Sequence, residues 1–321
     1  MRAIVYLNKT VAVLVPAHNE EKLILQVLET LPEWVDAVVV VDDGSTDRTV
    51  EKVQERMKQD PRIQLIRHPR NRGVGAALSS GYRVCRDAGY DITVVMNGDA
   101  QMHPEDLPAI VDPLAHDRAD YAKGNRLFHG QAWQLIPRVR YLGNAVLSLL
   151  TKIASGYWHV ADSQCGFTAI NQRALKQLDL DHLFPRYGVP NDILVKLNIE
   201  SMRVVDVPIR PVYGIGEKSG MRLIRVIPDI SFLLVRLFLR RLGEKYVIRD
   251  FHPLVFFYFF GLITFPVGMG MGLYYFFYRL LVGKVPVTTA LFAAFLTLMG
   301  LLFLLFAMLF DMETNKPLKG E

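Results

Sequence analysis

The chain has 321 residues, of which 51% are hydrophobic and 21% charged, and 37 Lys and Arg against 32 Asp and Glu leave a formal net charge of +5. So much apolar content excludes a disordered chain, and two distant cysteines, Cys85 and Cys165, exclude a disulfide scaffold or a cysteine zinc site. We expect a reducing environment for the N-terminal part, and Met1–Thr10 lacks the long apolar stretch of a cleaved secretory signal.

The first part of the chain alternates between short β-branched runs and stretches of helical period. The predicted strands are Val11–Ala17, Ala37–Asp43, Ile63–His68 and Ile92–Asn97, and the predicted helices are Glu21–Leu31, Asp47–Met57, Val74–Ala88 and Glu105–His116. This order predicts an α/β fold with a mostly parallel sheet and helices on both faces. Ligands of such sheets bind beyond the carboxyl ends of the strands, so the residues there are the candidate site.

Polar motifs end the first two strands. In Pro16-Ala17-His18-Asn19-Glu20, Asn19 can cap the following helix, but capping does not require His18. The second strand ends in Asp42 and Asp43, whose carboxylates could accept hydrogen bonds from a nucleobase N–H and from ribose hydroxyls. The alternative for this pair is an Asp-Gly turn leading into a capped helix.

Two further motifs follow the third and fourth strands. Asn71–Ala77 carries glycines two apart, but Leu78 excludes a GxGxxG loop, so we expect close packing of a helix start against the sheet, with a polar contact from Asn71 or Arg72. The fourth strand is followed by three oxygen-bearing side chains near one point, those of Asn97, Asp99 and Gln101. Hard divalent cations such as Mg²⁺ or Mn²⁺ prefer oxygen ligands. With one carboxylate, such a site needs a ligand diphosphate to complete the coordination. An Asx turn is the alternative, and it accounts for Asn97 alone.

A mixed region runs from about residue 121 to 213, with a predicted helix at Arg138–Ala154 and strands around Phe167–Ile170 and Arg203–Ile209. The glycine-rich stretch from Gly214 to Gly220 is either a loop that closes over substrates or a simple linker.

Basic residues cluster after this loop, since the segment from Lys218 to Arg249 contains eight basic and two acidic residues. Arginines punctuate apolar residues over Met221–Leu242, which predicts helices in a membrane interface, divided at Pro228. Nucleic-acid binding is a weaker reading of the cluster, because Phe, Leu and Val interleave with the charges.

Two long uncharged stretches end the chain, about residues 253–281 and 285–310. The 26 residues from Pro253 to Tyr278 and the 26 from Val285 to Phe310 carry no charge, and about 20 apolar residues cross a bilayer. We therefore predict two transmembrane helices. The basic flank places the preceding part, and both termini, in the cytoplasm. The oligomeric state stays open between a self-associating anchor, hence a homo-oligomer, and a simple hairpin.

Five motifs occur in the order seen in family 2 glycosyltransferases. They are Pro16–Glu20, Val41–Ser45, Asn71–Ala77, Asn97–Gln101 and Asp162–Phe167. Within that family the chain most resembles the dolichyl- or polyprenyl-phosphate sugar transferases, over roughly residues 10–225. The paired spans are similar to the anchor of the bacterial glucosyl-transferring branch.

The resemblance implies a GT-A nucleotide-sugar-binding fold. It also implies an inverting transfer from a UDP-, GDP- or dTDP-sugar to a membrane polyprenyl phosphate, assisted by Mg²⁺ or Mn²⁺. The implied domains are a glycosyltransferase domain at 1–216, basic juxtamembrane helices at 217–252 and an anchor at 253–321.

The resemblance assigns roles to individual residues. Pro16, His18, Glu20, Val41 and Asp43 would line the nucleotide, and Asn97, Gly98, Asp99 and Gln101 would form the metal and diphosphate motif. Arg126 would bind phosphates, and Asp162 would lie at the acceptor near the reacting centre, with a structural salt bridge to an arginine as its alternative role. Further acceptor candidates are Asp192, Arg210, Lys218, Ser219 and Arg222. The family's metal motif usually begins with Asp, where this chain has Asn97.

Three other functions compete with this one. A processive polysaccharide synthase would carry a Gln-x-x-Arg-Trp segment and more spans, and neither occurs here. Transfer to a lipid hydroxyl would need a general base, for which Asp162 or Asp192 could serve. A non-catalytic membrane protein that binds a nucleotide sugar is the third, and the retention of Asp99, Gln101 and Arg126 argues against it.

Overall fold

The computed structural model describes residues 6–128, 138–210 and 223–321, which form two compact units. The first unit runs to Phe238 and includes Pro317–Glu321, and the second spans Leu239–Lys316.

The first unit is built on a sheet of seven strands. In chain order they are β1 (Val11–Ala17), β2 (Ala37–Asp42), β3 (Ile63–Arg67), β4 (Ile92–Val95), β5 (Tyr121–Asn125), β6 (Thr168–Asn171) and β7 (Val204–Pro208). They lie in the order β3-β2-β1-β4-β6-β5-β7, and only β6 runs antiparallel to its neighbours. The predicted mostly parallel sheet is confirmed. The chain lays β2 and β3 on one side of β1 and then crosses to β4 on the other, which opens a crevice at the carboxyl ends.

Helices cover both faces of this sheet. They are α1 (Ile24–Glu29), α2 (Thr49–Met57), α3 (Val74–Ala88), α4 (Leu107–Ala115), α5 (Arg138–Ser155), α6 (Gln172–Gln177) and α7 (Val189–Ile199). On β1, Val11, Val13 and Val15 pack with α1, α2 and α4, whereas Ala12 and Leu14 pack with α3, α6 and α7. Successive strand residues point to opposite faces, so a strand covered on both sides must be apolar throughout.

The second half of the sheet unit contains elements that the sequence pattern did not predict. Tyr121–Asn125 forms β5 although it reads Tyr-Ala-Lys-Gly-Asn, and α6 and α7 were not predicted either. Strand β5 exists because it has a partner on each side, β6 and β7. Long-range pairing thus overrides a weak local preference for strand.

One long helix, α8 (Leu223–Gly243), follows where we predicted helices divided at Pro228. That division is wrong. In the sheet unit α8 buries Ile230 and Leu234 against α5, and Leu233 and Leu237 against α7. A buried stripe at helical spacing offsets the hydrogen bond that a proline removes from a helix.

The second unit holds two helices long and apolar enough to cross a membrane, α9 (Leu254–Leu281) and α10 (Val287–Asn315). Only 22% and 17% of their most apolar windows are buried, so they do not resemble the core helices of a soluble protein. They pack closely where a Cβ on Gly300 would lie 2.5 Å from Cα of Phe265.

A buried polar cluster lies in the same unit. The Arg241 guanidinium donates to both Asp311 oxygens, at 2.7 and 3.0 Å, and neither side chain has exposed surface. The Tyr246 hydroxyl and Asn315 Nδ2 donate to the same carboxylate, at 2.7 and 3.0 Å. These bonds join the end of α8 and a π-helical turn, Glu244–Arg249, to the end of α10.

Candidate functional site

Motifs from β1, β2 and β4 meet at one edge of the sheet. The Gly98 N–H donates to the Pro16 carbonyl at 3.1 Å, and the Asp43 N–H donates to the Ala17 carbonyl at 2.8 Å. These bonds continue the parallel ladders past the last paired residues. The carboxyl ends of β1, β2 and β4 therefore bring together the motifs predicted to bind a nucleotide.

Glycines allow the next motifs to approach this edge. Gly44 has a φ of +70°, and a Cβ there would lie 2.5 Å from the carbonyl carbon of Arg70. A Cβ on Gly75 would collide with the Phe184 carbonyl, and the Gly75 N–H donates to the Pro185 carbonyl at 2.9 Å. The predicted close packing at the start of α3 is present, but its partner is the backbone before α7. Only glycine permits such approach.

The Asp43 carboxylate organises this corner. It accepts from the N–H groups of Arg72 at 2.9 Å and Gly73 at 2.7 Å. His68 Nδ1 lies 2.7 Å from Asp43 Oδ1, and its Nε2 lies 2.9 Å from Ser80 Oγ. His68 was not predicted as a site residue, although it directly follows β3, at the end of the sheet where the other motifs lie. The nucleoside contact of Asp43 stays a prediction.

The other nucleotide candidates differ in exposure. The side chain of Val41 is buried in the core, so contact with a base would use its backbone. His18 is exposed at the edge of the sheet. Burial, with the nearby carboxylates of Asp99 and Asp47, raises the pKa of Glu20 to about 7. A concentration of negative charge therefore marks this edge.

The motif predicted to bind a metal, Asn97–Gln101, offers side-chain oxygens as its possible ligands. Asp99 Oδ1 accepts from the Gln101 N–H at 3.1 Å, and a Cβ on Gly166 would lie 3.1 Å from Asn97 Nδ2. Among the described residues no three His, Cys, Asp or Glu side chains form a metal-binding group. The donor set of one carboxylate and two amides, with the Glu20 carboxylate near Asp99, fits a hard divalent cation that takes its remaining ligands from phosphate.

Arg126 and Asp162 bind each other. Arg126 Nε lies 2.7 Å from Oδ2 and Nη2 lies 3.1 Å from Oδ1. The salt bridge weighed as an alternative for Asp162 is thus present. Asp162 has no exposed side-chain surface, whereas Arg126 exposes 21% of its side chain. Burial disfavours the charged carboxylate, yet the attraction and hydrogen bonds of Arg126 hold the pKa of Asp162 below its ordinary value.

Asp192 and Arg210 bind other groups. The buried Asp192 carboxylate accepts from Lys196 Nζ at 3.0 Å and from the Phe184 N–H at 2.8 Å. The exposed Arg210 pairs with Glu105 at 3.1 Å. Their roles toward an acceptor stay predictions. The remaining acceptor candidates, Lys218, Ser219 and Arg222, lie outside the described residues.

Two charged residues near Arg126, Lys123 and Asp206, were not predicted either. Lys123 on β5 is fully buried, and its Nζ donates to the Cys165 carbonyl at 2.6 Å. Lys123 stands opposite Asp206 in the β5–β7 register. No local pattern marks either residue, because the pairing of β5 with β7 brings them together.

Comparison with protein families identifies this unit. The model of glycosyl transferase family 2 matches residues 12–179. A UDP-N-acetylglucosamine–dolichyl-phosphate N-acetylglucosaminyltransferase of Methanococcus voltae is 31% identical over 219 residues, covering 64% of this chain and 87% of that protein. An undecaprenyl-phosphate mannosyltransferase of Micrococcus luteus is 29% identical over 202 residues, covering 62% and 82%.

Solved structures support the fold. Glucosyl-3-phosphoglycerate synthase from Mycobacterium tuberculosis, solved with UDP, matches with a TM-score of 0.52 and 23% identity, covering 73% of this chain and 80% of that one. The same enzyme has been solved with Mn²⁺, UDP and its product. Mannosyl-3-phosphoglycerate synthase from Rubrobacter xylanophilus matches with a TM-score of 0.55 and 16% identity, covering 77% and 78%. The predicted GT-A fold is confirmed.

Proposed function

Because the chain belongs to glycosyl transferase family 2, we propose that it transfers a sugar from a nucleotide diphosphate to the phosphate of a membrane polyprenol. The relatives named for such transfers support this acceptor. The proposed donor is a UDP-, GDP- or dTDP-sugar.

One observation carries the proposal, the pairing of Arg126 with Asp162 beside the metal motif. Gly166 of the Asp162–Phe167 segment packs against Asn97, which brings that segment to the end of β4. Arg126 keeps 21% of its side chain exposed while Asp162 holds its guanidinium in place. A planar, pre-positioned guanidinium suits a phosphate oxygen pair.

The proposed chemistry needs no strong base. A phosphate monoester is already anionic at neutral pH, so one of its oxygens attacks the anomeric carbon directly. The bond from that carbon to the diphosphate breaks, and the electron pair leaves with the nucleotide diphosphate. Attack opposite the leaving group inverts the anomeric configuration.

The residues of this chain contribute position and charge. In this proposal Asp43 and Glu20 hold the nucleoside side of the donor, Arg126 holds phosphate, and Asp162 orients Arg126. A divalent ion, Mg²⁺ or Mn²⁺, at Asp99 with the amide oxygens of the motif would offset the negative charge of the departing diphosphate.

Membrane association fits the same acceptor. Two apolar helices and relatives named for lipid acceptors support attachment to a membrane. We propose a catalytic domain at 1–216, basic juxtamembrane helices at 217–252 and a two-helix anchor at 253–321. The basic segment before the spans supports a cytoplasmic catalytic domain with both termini on that side.

Lipid extraction after incubation with donor tests this function. Purified full-length protein, Mg²⁺ or Mn²⁺ and undecaprenyl phosphate are incubated with a panel of radiolabelled nucleotide sugars. We expect one donor to label a lipid that mild acid cleaves. Failure of the whole panel, with nucleotide binding intact, would overturn the proposal and favour a hydroxyl acceptor or a non-catalytic role.

Asp99→Ala tests the metal motif. We expect transfer to fall by about 1,000-fold, because the only carboxylate of the motif is lost, while the melting temperature changes by less than about 3 °C. Asp91→Ala is the matched control, since Asp91 precedes the opposite end of β4 and binds Thr10. Near-normal transfer by Asp99→Ala in the presence of a chelator would contradict the metal assignment.

A further inference from the structure

Asp206 on β7 lies behind the Arg126–Asp162 pair. Its Oδ2 accepts from the Ala161 N–H at 2.6 Å and from Asn125 Nδ2 at 3.0 Å. This one carboxylate oxygen therefore links Ala161 in a loop to Asn125 on β5, which are 36 residues apart in the chain. Arg126 and Asp162 are separated by the same 36 residues.

Both partners of Asp206 are chain neighbours of the pair. Ala161 directly precedes Asp162, and Asn125 directly precedes Arg126. Asn125 Oδ1 accepts in turn from the N–H groups that follow Arg126, those of residues 127 and 128, at 3.0 and 3.2 Å. The backbone on each side of the ion pair is thus tied, directly or through Asn125, to the Asp206 carboxylate.

We propose that Asp206 is a positioning residue that fixes the positions of Arg126 and Asp162 relative to each other for sugar transfer. This inference rests on the proposed function, since it deepens the role of the same site. Asp206 acts on the pair through its hydrogen bonds with Ala161 and Asn125.

The cost of this arrangement indicates that Asp206 serves more than stability. Asp206 Oδ1 is buried and has no hydrogen-bond partner among the described residues. A carboxylate with one unsatisfied buried oxygen destabilises the folded state. Burial also raises the pKa of Asp206 to about 6, against the attraction of Lys123. Positions that break a local rule of this kind are typical of functional sites.

Asp120 provides a control at the other end of the same pair of strands. Its carboxylate also accepts from one backbone N–H, that of Arg203 at 2.8 Å, and from one asparagine amide, that of Asn171 at 2.9 Å. It differs from Asp206 in that it also pairs with the side chains of Arg173, at 2.7 Å, and Arg203, at 3.3 Å, so its loss should lower stability at least as much. Asp120 directly precedes β5, at the end opposite Arg126, and it is fully buried. Loss of Asp120 therefore tests structural support away from the pair.

The kinetic test compares Asp206→Ala, Asp206→Asn and Asp120→Ala in the full-length protein. We expect Asp206→Ala to lower kcat for polyprenyl phosphate by about 100-fold with KM for the donor unchanged, because misplacement by about 1 Å has that effect. Asp206→Asn keeps an acceptor oxygen for Ala161, so it should retain kcat within about tenfold of wild type. Equal losses of kcat per folded molecule in Asp206→Ala and Asp120→Ala would overturn the proposal.

Amide hydrogen exchange supplies a readout that needs no activity. Asp206→Ala should accelerate exchange in peptides covering 125–128 and 160–165, and Asp120→Ala should not. Unchanged exchange in both peptides would overturn the positioning role whatever the kinetics. If the wild type transfers no sugar but Asp206→Ala accelerates exchange, then Asp206 still positions the Arg126–Asp162 pair, and only the proposed function is refuted.

Discussion

Two arginine–aspartate pairs lie in different units of this molecule and differ in how completely they are enclosed. Arg126 and Asp162 pair in the first unit, and Arg241 and Asp311 pair in the second unit. Both pairs are bidentate, with closest distances of 2.7 Å. The Arg241–Asp311 pair has no exposed side-chain surface, whereas Arg126 exposes 21% of its side chain.

The difference in burial distinguishes a structural role of an arginine–aspartate ion pair from a role in ligand binding. The hydroxyl of Tyr246 and the side-chain amide of Asn315 donate further hydrogen bonds to the Asp311 carboxylate. Such a closed cluster satisfies buried polar groups and joins helices, because a buried charge requires a partner. Arg126, by contrast, keeps 21% of its side chain exposed while Asp162 holds it, so this pair is open to solvent. A fully buried ion pair is thus typical of a structural role, whereas a partly exposed pair beside a predicted ligand-binding site is typical of a role in binding.

Removing one member of the enclosed pair should have the largest effect on stability. Arg241→Ala leaves Asp311 buried without its ionic partner, so we expect the free energy of unfolding to fall by about 3–5 kcal/mol. Thermal unfolding in detergent measures this, and transfer per folded molecule should stay within about twofold of wild type.

A double variant checks the reason for that loss. Replacing both Arg241 and Asp311 by Leu removes the uncompensated charge and should bring stability to within about 2 kcal/mol of wild type. If Arg241→Ala melts like the wild type, the pair does not join the helices. If the double variant is no more stable than the single one, the charge is not the cause.

A conservative change in the open pair should affect the reaction instead. Arg126→Lys keeps the charge but loses the planar fork, and we expect transfer to fall by about 100-fold. The melting temperature should move by less than about 3 °C, since Lys still neutralises Asp162. Arg241→Lys is the control and should lower stability without lowering the rate. Wild-type transfer by Arg126→Lys would show that Arg126 does not hold phosphate.

The smallest expected effect is on the pH dependence of folding stability, and it comes from Asp206, which supports the Arg126–Asp162 pair. The folded-state pKa of Asp206, about 6, lies above the ordinary carboxyl value near 3.9. The unfolded chain therefore releases its proton first, and this group makes the folded state less stable as pH rises from about 4 to about 6. Asp206→Asn does not titrate.

Melting curves across this pH range measure the effect. The melting temperature of Asp206→Asn minus that of wild type should become more positive from pH 4 to pH 6 and then level off. A difference that does not change with pH would contradict the raised pKa. Arg241→Lys, which leaves Asp206 intact, should show no such trend relative to wild type.

The first half of the sheet was predictable from local patterns. Strands β1 to β4 and helix α3 agree with the predicted positions within a few residues. The strands are short and mostly apolar, and each is followed within a few residues by its motif. Helix α3 is amphipathic and begins within the Asn71–Ala77 motif. The site edge around Asp99 could be predicted because parallel strands bring their carboxyl ends together.

The second half depended on contacts between distant residues. Strand β5, with Lys123 and Gly124, has no typical strand pattern and forms only between β6 and β7. The predicted break at Pro228 is wrong because a buried stripe holds α8 together.

By itself the sequence determined the family, the mostly parallel sheet, the order of the site motifs and two helices that can span a membrane. Periodicity, motif order and uncharged length are local properties, so they can be read along the chain. The tertiary structure alone decided which charges meet, as in Arg126 with Asp162, Arg241 with Asp311, and Asp206 with the residues beside the first pair. Pairing of buried charges depends on the distances that packing sets between residues far apart in the chain.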